Sequence, residues 1–185
     1  TLTAASLGSG ALSLAGASGA GNSAAFVSTQ SGTTLSVGAV TFGGYTSYSM
    51  ASDKSLSSSG VITLSGTNNA VTLTGAALGA GTYNLFSGSS VSTSGLNSGG
   101  FTLTGAGVRN AVVPLNGSQQ IVGRTTYDVA STATALQLVV GGGAFNMNWN
   151  GGNAAWDYTA SSWQKDGAGS NIAFYSGDNA TISSG

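Results

Sequence analysis

The sequence predicts an all-β protein, built as a parallel β-solenoid, with a β-sandwich as the alternative architecture. Apolar and hydroxyl side chains alternate with a period of two, which is typical of strands with one buried face. The chain has 31 glycines spread through every segment of its 185 residues. Each glycine would destabilise a helix by about 1 kcal/mol. Charged residues make up only 5% of the chain, and Ser, Thr and Asn take their place.

The segment 1–80 contains short, repetitive strand patterns. Residues 61–65 and 70–74 each alternate around a leucine and stop at a glycine, Gly66 and Gly75. Their spacing fits a hairpin as well as two successive strands of a solenoid, so both arrangements remain open. Leu-centred units that begin at residues 34, 63, 72 and 102 recur at intervals of about 30 residues and hint at a repeat architecture, and a similar unit covers residues 1–3.

Residues 81–140 carry longer strand patterns. Five strands are expected there, and a hairpin through residues 131–134 joins the last two. Pro114 ends its strand because it lacks an N–H donor. Asn116-Gly117 and, further on, Asn150-Gly151 predict tight turns, since both residue types tolerate positive φ. The expected strands cover residues 82–87, 101–104, 108–114, 125–130 and 135–140.

A glycine triplet at residues 141–143 suggests a division of the chain. We expect a repetitive β-strand domain over residues 1–140. Residues 141–185 then form a tryptophan-containing β module that continues from that domain.

A series of short motifs runs through about residues 60–185. The motifs are Gly81-Thr-Tyr-Asn-Leu-Phe, Arg124, Tyr127, Leu136-Gln-Leu-Val-Val-Gly-Gly-Gly, Asn148-Trp-Asn-Gly-Gly, Trp156-Asp, Trp163 and Phe174-Tyr-Ser-Gly-Asp-Asn-Ala-Thr. Together they resemble the autotransporter-associated β-strand repeat. The resemblance implies a segment of a long, repetitive passenger-type bacterial surface protein, a class often built as a parallel β-solenoid.

The composition argues against most binding and catalytic classes. A net charge of −1 gives no positive field for nucleic acid. No apolar run approaches the roughly 20 residues of a membrane helix, so membrane insertion is not expected. Without His or Cys, the common general bases, nucleophile pairs and zinc ligands are missing. We therefore expect no enzyme, catalytic residue, metal or cofactor. Asp157, Asp166 and Asp178 lie beside residues typical of turns, and turn or capping roles are expected for them.

Trp149, Trp156 and Trp163 follow one another at equal spacing in the sequence. Flat indole rings can stack on sugar rings, so these three residues are the candidate glycan-binding site. The competing interpretation is a small aromatic core that closes one end of the module.

The prediction for function is a non-enzymatic structural protein outside the cell or on the bacterial cell surface. It would serve as a passenger-type adhesin segment or as a self-assembling fibre subunit. Unpaired N–H and C=O groups at sheet edges invite other strands, and few charges are available here to block them. Self-association is thus the expected partnership, with surface glycans as a further partner. The alternative is a carbohydrate-binding module that uses the tryptophans.

Overall fold

Strands account for nearly all the regular structure of the protein. The computed structural model describes residues 2–4, 7–18, 23–29, 31–97, 100–143, 145–150, 162–165, 170–175 and 178–182. These residues contain no α-helix, and the chain is all-β as the sequence predicts. One short 3-10 helix covers Ala106–Val108. The strands within the described residues are β1 (Leu2–Ala4), β2 (Leu12–Leu14), β3 (Ala24–Ser28), β4 (Thr34–Val37), β5 (Val40–Phe42), β6 (Thr46–Ala51), β7 (Ser55–Ser58), β8 (Val61–Gly66), β9 (Asn69–Thr74), β10 (Gly81–Ser87), β11 (Ser90–Leu96), β12 (Phe101–Thr104), β13 (Val113–Pro114), β14 (Gln120–Val122), β15 (Thr125–Ser131), β16 (Ala135–Gly142), β17 (Asn146–Trp149), β18 (Trp163–Lys165) and β19 (Asn179–Thr181).

The strands form four sheets, which we label A to D. Sheet A has the order β1-β3-β6-β9-β12-β13, and sheet B has the order β2-β5-β8-β11. Sheet C has the order β4-β7-β10-β16-β15-β14, and the small sheet D has the order β18-β17-β19. Most neighbours in sheets A and B are therefore not consecutive in the chain, which requires long connections between paired strands.

From β3 to β11 the chain visits sheets A, C and B in a constant rotation. Each strand of β5 to β9 pairs in parallel with its counterpart from the preceding round. In sheet A, Phe26, Tyr48 and Val71 are register partners, so they mark the same position in three successive rounds. This round is shorter than the repeat suggested by the Leu-centred units. The Leu-centred units do not all mark one position in successive rounds, because those at 34 and 63 lie in sheets C and B, and those at 72 and 102 lie in sheet A.

The two alternating segments at 61–65 and 70–74 do not form a hairpin. They are β8 in sheet B and β9 in sheet A, and each pairs in parallel with strands from other rounds. The chain turns between them at Gly66 and Asn68, which both have positive φ. A Cβ at Gly66 would lie 2.8 Å from the carbonyl oxygen of Gly43, so stacked corners leave no room for a side chain there.

The inward side chains of sheets A, B and C meet in one aromatic cluster. Tyr48 of sheet A stacks on Phe26, with ring centroids 5.4 Å apart and planes 9° apart. Phe42 of sheet B and Phe86 of sheet C meet the Tyr48 ring edge-on, at 6.1 and 5.5 Å. Because each of the three sheets contributes a buried ring, the core of this part of the chain lies between all three.

Asn69 is a buried polar residue that joins neighbouring rounds. Its Oδ1 accepts bonds from the Thr46 hydroxyl at 2.7 Å and from the Gly44 N–H at 3.1 Å. Its Nδ2 donates to the carbonyl oxygens of Ser65 at 2.8 Å and Gly100 at 3.0 Å. All four bonding positions of the amide are thus used, as burial of a polar side chain requires.

We expect Asn69→Leu to reduce the free energy of unfolding by about 2–3 kcal/mol. Leucine is similar in size, but it leaves buried donors and acceptors without partners. Asn84→Leu is the control, because the Asn84 amide is exposed and bonds only to Gln137 among the described residues. Urea unfolding followed by circular dichroism measures both variants, and equal losses would contradict the role assigned to Asn69.

Most of the strands expected over residues 81–140 are present, but the strand expected at 108–114 is wrong. The 3-10 helix occupies its beginning, Arg109 and Asn110 follow in the left-handed region, and only Val113–Pro114 is a strand. A Cβ at Gly107 would lie 2.8 Å from the Cβ atoms of both Leu73 and Ser52. Close packing on those two residues therefore replaces strand pairing. Pro114 does end its strand, and Asn116 does occupy a turn with positive φ.

The chain divides into two compact units. The first comprises residues 1–121 and 126–141, and the second comprises residues 122–125 and 142–185. Sheets A and B and most of sheet C belong to the first unit, whereas sheet D belongs to the second. All three tryptophans fall in the second unit.

Candidate functional site

Strands β1, β2 and β4 form one edge of sheets A, B and C. Each pairs on one side only within the described residues. The carbonyl oxygen of Thr33, just before β4, accepts a bond from the Ser55 N–H at 2.9 Å. At the end of β4, the Val37 carbonyl oxygen accepts a bond from the Ser59 N–H at 3.0 Å. Backbone groups alternate in direction along a strand, so the N–H and C=O groups of Thr34 and Ser36 point away from β7. We call β1, β2 and β4 the open edge.

The same alternation holds in β2. Leu12 donates its N–H to Ala39 at 2.8 Å, and Leu14 accepts from Gly43 at 2.8 Å. The backbone of Ser13 therefore points away from β5. Natural sheets protect such edges with lysine, proline or a bulge. The open edge carries none of these, since its strands read Leu-Thr-Ala, Leu-Ser-Leu and Thr-Leu-Ser-Val.

The strands at the opposite side of these sheets are protected. Sheet A ends in β13, which is antiparallel to β12 and contains Pro114. Sheet C continues past β10 into the antiparallel strand β16. In sheet B, the register of β11 is interrupted between Ser92 and Gly95, and the Val91 N–H donates to Ala133 at 2.8 Å. The first unit therefore has a parallel open edge on one side and interrupted pairing on the other.

The tryptophan site predicted from the sequence is largely internal where the structure describes it. Trp163 is fully buried, with its ring 5.1 Å from Trp149 and 4.9 Å from Phe174. Trp149 is half-buried and pairs with Trp163 across sheet D. Trp156 lies outside the described residues. A sugar platform needs an open ring face, and Trp163 presents none, so the arrangement favours the aromatic-core interpretation for that residue.

A second cluster in the same unit surrounds an ion pair. The Arg124 Nε donates to both carboxylate oxygens of Asp178 at 2.9 Å, and Nη2 donates to the Ala173 carbonyl at 2.7 Å. The guanidinium lies 4.3 Å from the centre of the Phe145 ring and 4.9 Å from that of Tyr175. The arginine is thus held by a carboxylate, a carbonyl and two aromatic rings.

Asp178 is a buried carboxylate, with 1% of its side chain exposed. Burial acts to raise its pKa, but the N–H groups of Phe145 and Tyr175 and the Arg124 guanidinium outweigh burial and lower the pKa below the usual 3.8. One of these bonds, from the N–H of Tyr175 three residues earlier, is local in the sequence. Arg124 is 54 positions away from Asp178, so no local sequence pattern could predict that the two residues pair. Asp157 and Asp166 lie outside the described residues.

The described residues contain no group of three or more His, Cys, Asp or Glu side chains placed to hold a metal ion. In the same residues we find no helix whose length and hydropathy would allow it to cross a membrane.

Comparison of this chain with protein-family models, with curated proteins and with solved structures finds no match.

Proposed function

We propose that the first unit is a parallel β-solenoid in which each round contributes one strand to sheet A, one to sheet C and one to sheet B. The constant rotation of the chain through three sheets supports this architecture. The parallel register across rounds and the single core shared by all three sheets support it as well. A sandwich of two antiparallel sheets would instead pair strands that are neighbours in sequence.

The function that this architecture supports best is structural. The protein is a non-enzymatic segment of an extracellular or bacterial surface protein of the passenger type, in which stacked rounds supply length and rigidity. Uncharged Ser and Thr side chains cover its outward strand positions, so its solubility depends little on salt or pH. Such independence suits a protein that works where ionic strength is not controlled.

The observation that carries this proposal is the open edge. Its outward N–H and C=O groups, in strands without charge or proline, are suited to pairing with another set of strands. Because the opposite side is interrupted by Pro114 and by antiparallel pairing, addition at one side is favoured over head-to-tail growth.

We expect the purified chain to self-associate through the open edge, and Ser36→Pro to weaken that association at least tenfold. Proline removes the outward N–H of Ser36 but no bond to β7, so the fold is retained. Analytical ultracentrifugation over a range of concentrations measures the association. Electron microscopy of the same samples distinguishes limited oligomers from filaments.

Ser57→Pro is the matched variant within sheet C. Ser57 lies opposite Ser36 in the central strand β7, where proline removes a ladder bond and destabilises the fold. A wild-type chain that stays monomeric at every concentration would refute edge pairing. So would a folded Ser36→Pro variant that associates as strongly as the wild type.

A further inference from the structure

A groove crosses the first residues of β4, β7 and β10 on sheet C. Its volume is about 530 Å³, within the range of small-molecule sites. Three successive rounds of the chain contribute to it, so it runs across the strands rather than along one of them. The charged, hydroxyl, aromatic and amide side chains that line it include Thr34, Asp53, Lys54, Ser55, Tyr83 and Asn84.

The charged groups of this groove balance each other. The Lys54 Nζ lies 3.3 Å from the Asp53 Oδ2. The lysine side chain is only 17% exposed, whereas the Asp53 side chain is 70% exposed. An ammonium carries three N–H donors, and Asp53 occupies one of them. The groove therefore offers donors and acceptors side by side without a net charge that would select an ionic ligand.

Tyr83 gives the groove a fixed aromatic wall. Its hydroxyl donates to the Gly79 carbonyl at 3.0 Å, and its ring lies against Gly81, where a Cβ would be 3.4 Å from the ring atoms. The ring is thereby held on the Gly79–Gly81 side. Asn84 also lines the groove, and its side-chain Oδ1 accepts a bond from the Gln137 Nε2 at 2.8 Å, which orients the amide. Side chains that are already held in place lose little conformational entropy when a ligand binds.

Hydroxyl groups complete the lining. The Thr34 and Ser55 hydroxyls lie 3.2 Å apart on adjacent strands, and each can donate or accept. A saccharide combines apolar C–H faces with many neutral hydroxyls, so it matches an aromatic wall next to alternating donors and acceptors. We propose that this groove binds a neutral oligosaccharide, stacked on Tyr83 and hydrogen-bonded by Lys54, Asp53 and Asn84. This site is separate from the tryptophans and goes beyond the structural role.

Nuclear magnetic resonance titration of the full, isotope-labelled chain tests the proposal. The probes are four soluble neutral oligosaccharides: cellotetraose, chitotetraose, mannotetraose and maltotetraose. We expect at least one probe to shift the backbone signals of Lys54, Tyr83 and Asn84 saturably, with a dissociation constant of about 1 mM or tighter. No saturable shift with any probe would overturn the proposal. Shifts confined to the Trp149 indole would also overturn it, and would favour the tryptophan site.

Variants separate binding from folding. Tyr83→Ala should weaken binding by about tenfold, because it removes the stacking surface. Lys54→Met should weaken it several-fold, because it removes the donors but keeps the apolar stem. Tyr83→Phe keeps the ring and should bind within about twofold of the wild type. Unchanged affinity in both Tyr83→Ala and Lys54→Met would refute the site. Self-association is measured separately, so failure here leaves the structural proposal standing.

Discussion

Asp178→Ala is expected to unfold the second unit at denaturant concentrations that leave the first unit folded. The substitution leaves the Arg124 guanidinium without its carboxylate and removes the acceptor for the N–H groups of Phe145 and Tyr175. Removing one member of a buried ion pair typically costs about 3–5 kcal/mol. All three tryptophans are in the second unit, so their fluorescence reports its unfolding. Far-ultraviolet circular dichroism follows the larger, strand-rich first unit.

Asp128→Ala is the control, because Asp128 lies on β15 in the first unit. It should leave the tryptophan transition unchanged. The same transition should depend on pH in the wild type. Because the folded pKa of Asp178 is lowered, its stabilisation is fully present above the usual pKa of 3.8 and is lost as the pH falls through the folded value. A tryptophan transition insensitive to both Asp178→Ala and acid would show that the pair does not support the unit.

Tyr48→Ala is expected to reduce the free energy of unfolding of the first unit by about 3–5 kcal/mol, as for large aromatic residues removed from a core. The Tyr48 ring is fully buried and contacts Phe26, Phe42 and Phe86, which come from three different sheets. The cavity would therefore open where the three sheets meet. The unfolding transition followed by circular dichroism should move to a lower denaturant concentration. The transition followed by tryptophan fluorescence should shift far less.

Tyr48→Phe is the matched control because it keeps the ring. Burial raises the pKa of the Tyr48 hydroxyl to about 12, so the group is neutral in the folded protein. Its removal should change stability by no more than about 1 kcal/mol. If both variants destabilise equally, the hydroxyl rather than the aromatic cluster supports the core.

The strands could be predicted from the sequence because the alternation of apolar and polar residues is a local property. The patterns at 82–87, 101–104, 125–130 and 135–140 each coincide with a strand. The strand predicted at 108–114 is wrong because Gly107 packs on Leu73 and Ser52, which are far away in sequence. A hairpin and two separate strands with other partners would have identical local patterns at 61–65 and 70–74. Only the partners of β8 and β9 distinguish them.

For the functional sites too, the sequence predicts some features and only the structure shows the others. A shortage of charge predicts poorly protected edges, yet it does not say which strands are outermost. That β1, β2 and β4 form an open edge follows from their pairing with strands of the next round, well separated from them in sequence. The Lys54 and Tyr83 groove has no sequence motif, since its residues come together only when three rounds stack. The pairing of Arg124 with Asp178 likewise joins residues 54 positions apart.

The sequence by itself determined that this protein is made of short strands with neutral surfaces, because alternation and composition act on each residue and its immediate neighbours. The tertiary structure alone decided the parallel pairing, the length of the round, the aromatic core and the open edge. Those features depend on which strands meet. Many near-equivalent Ser, Thr and Leu patterns can pair, and simultaneous burial of Phe26, Tyr48, Phe42 and Phe86 selects one register among them.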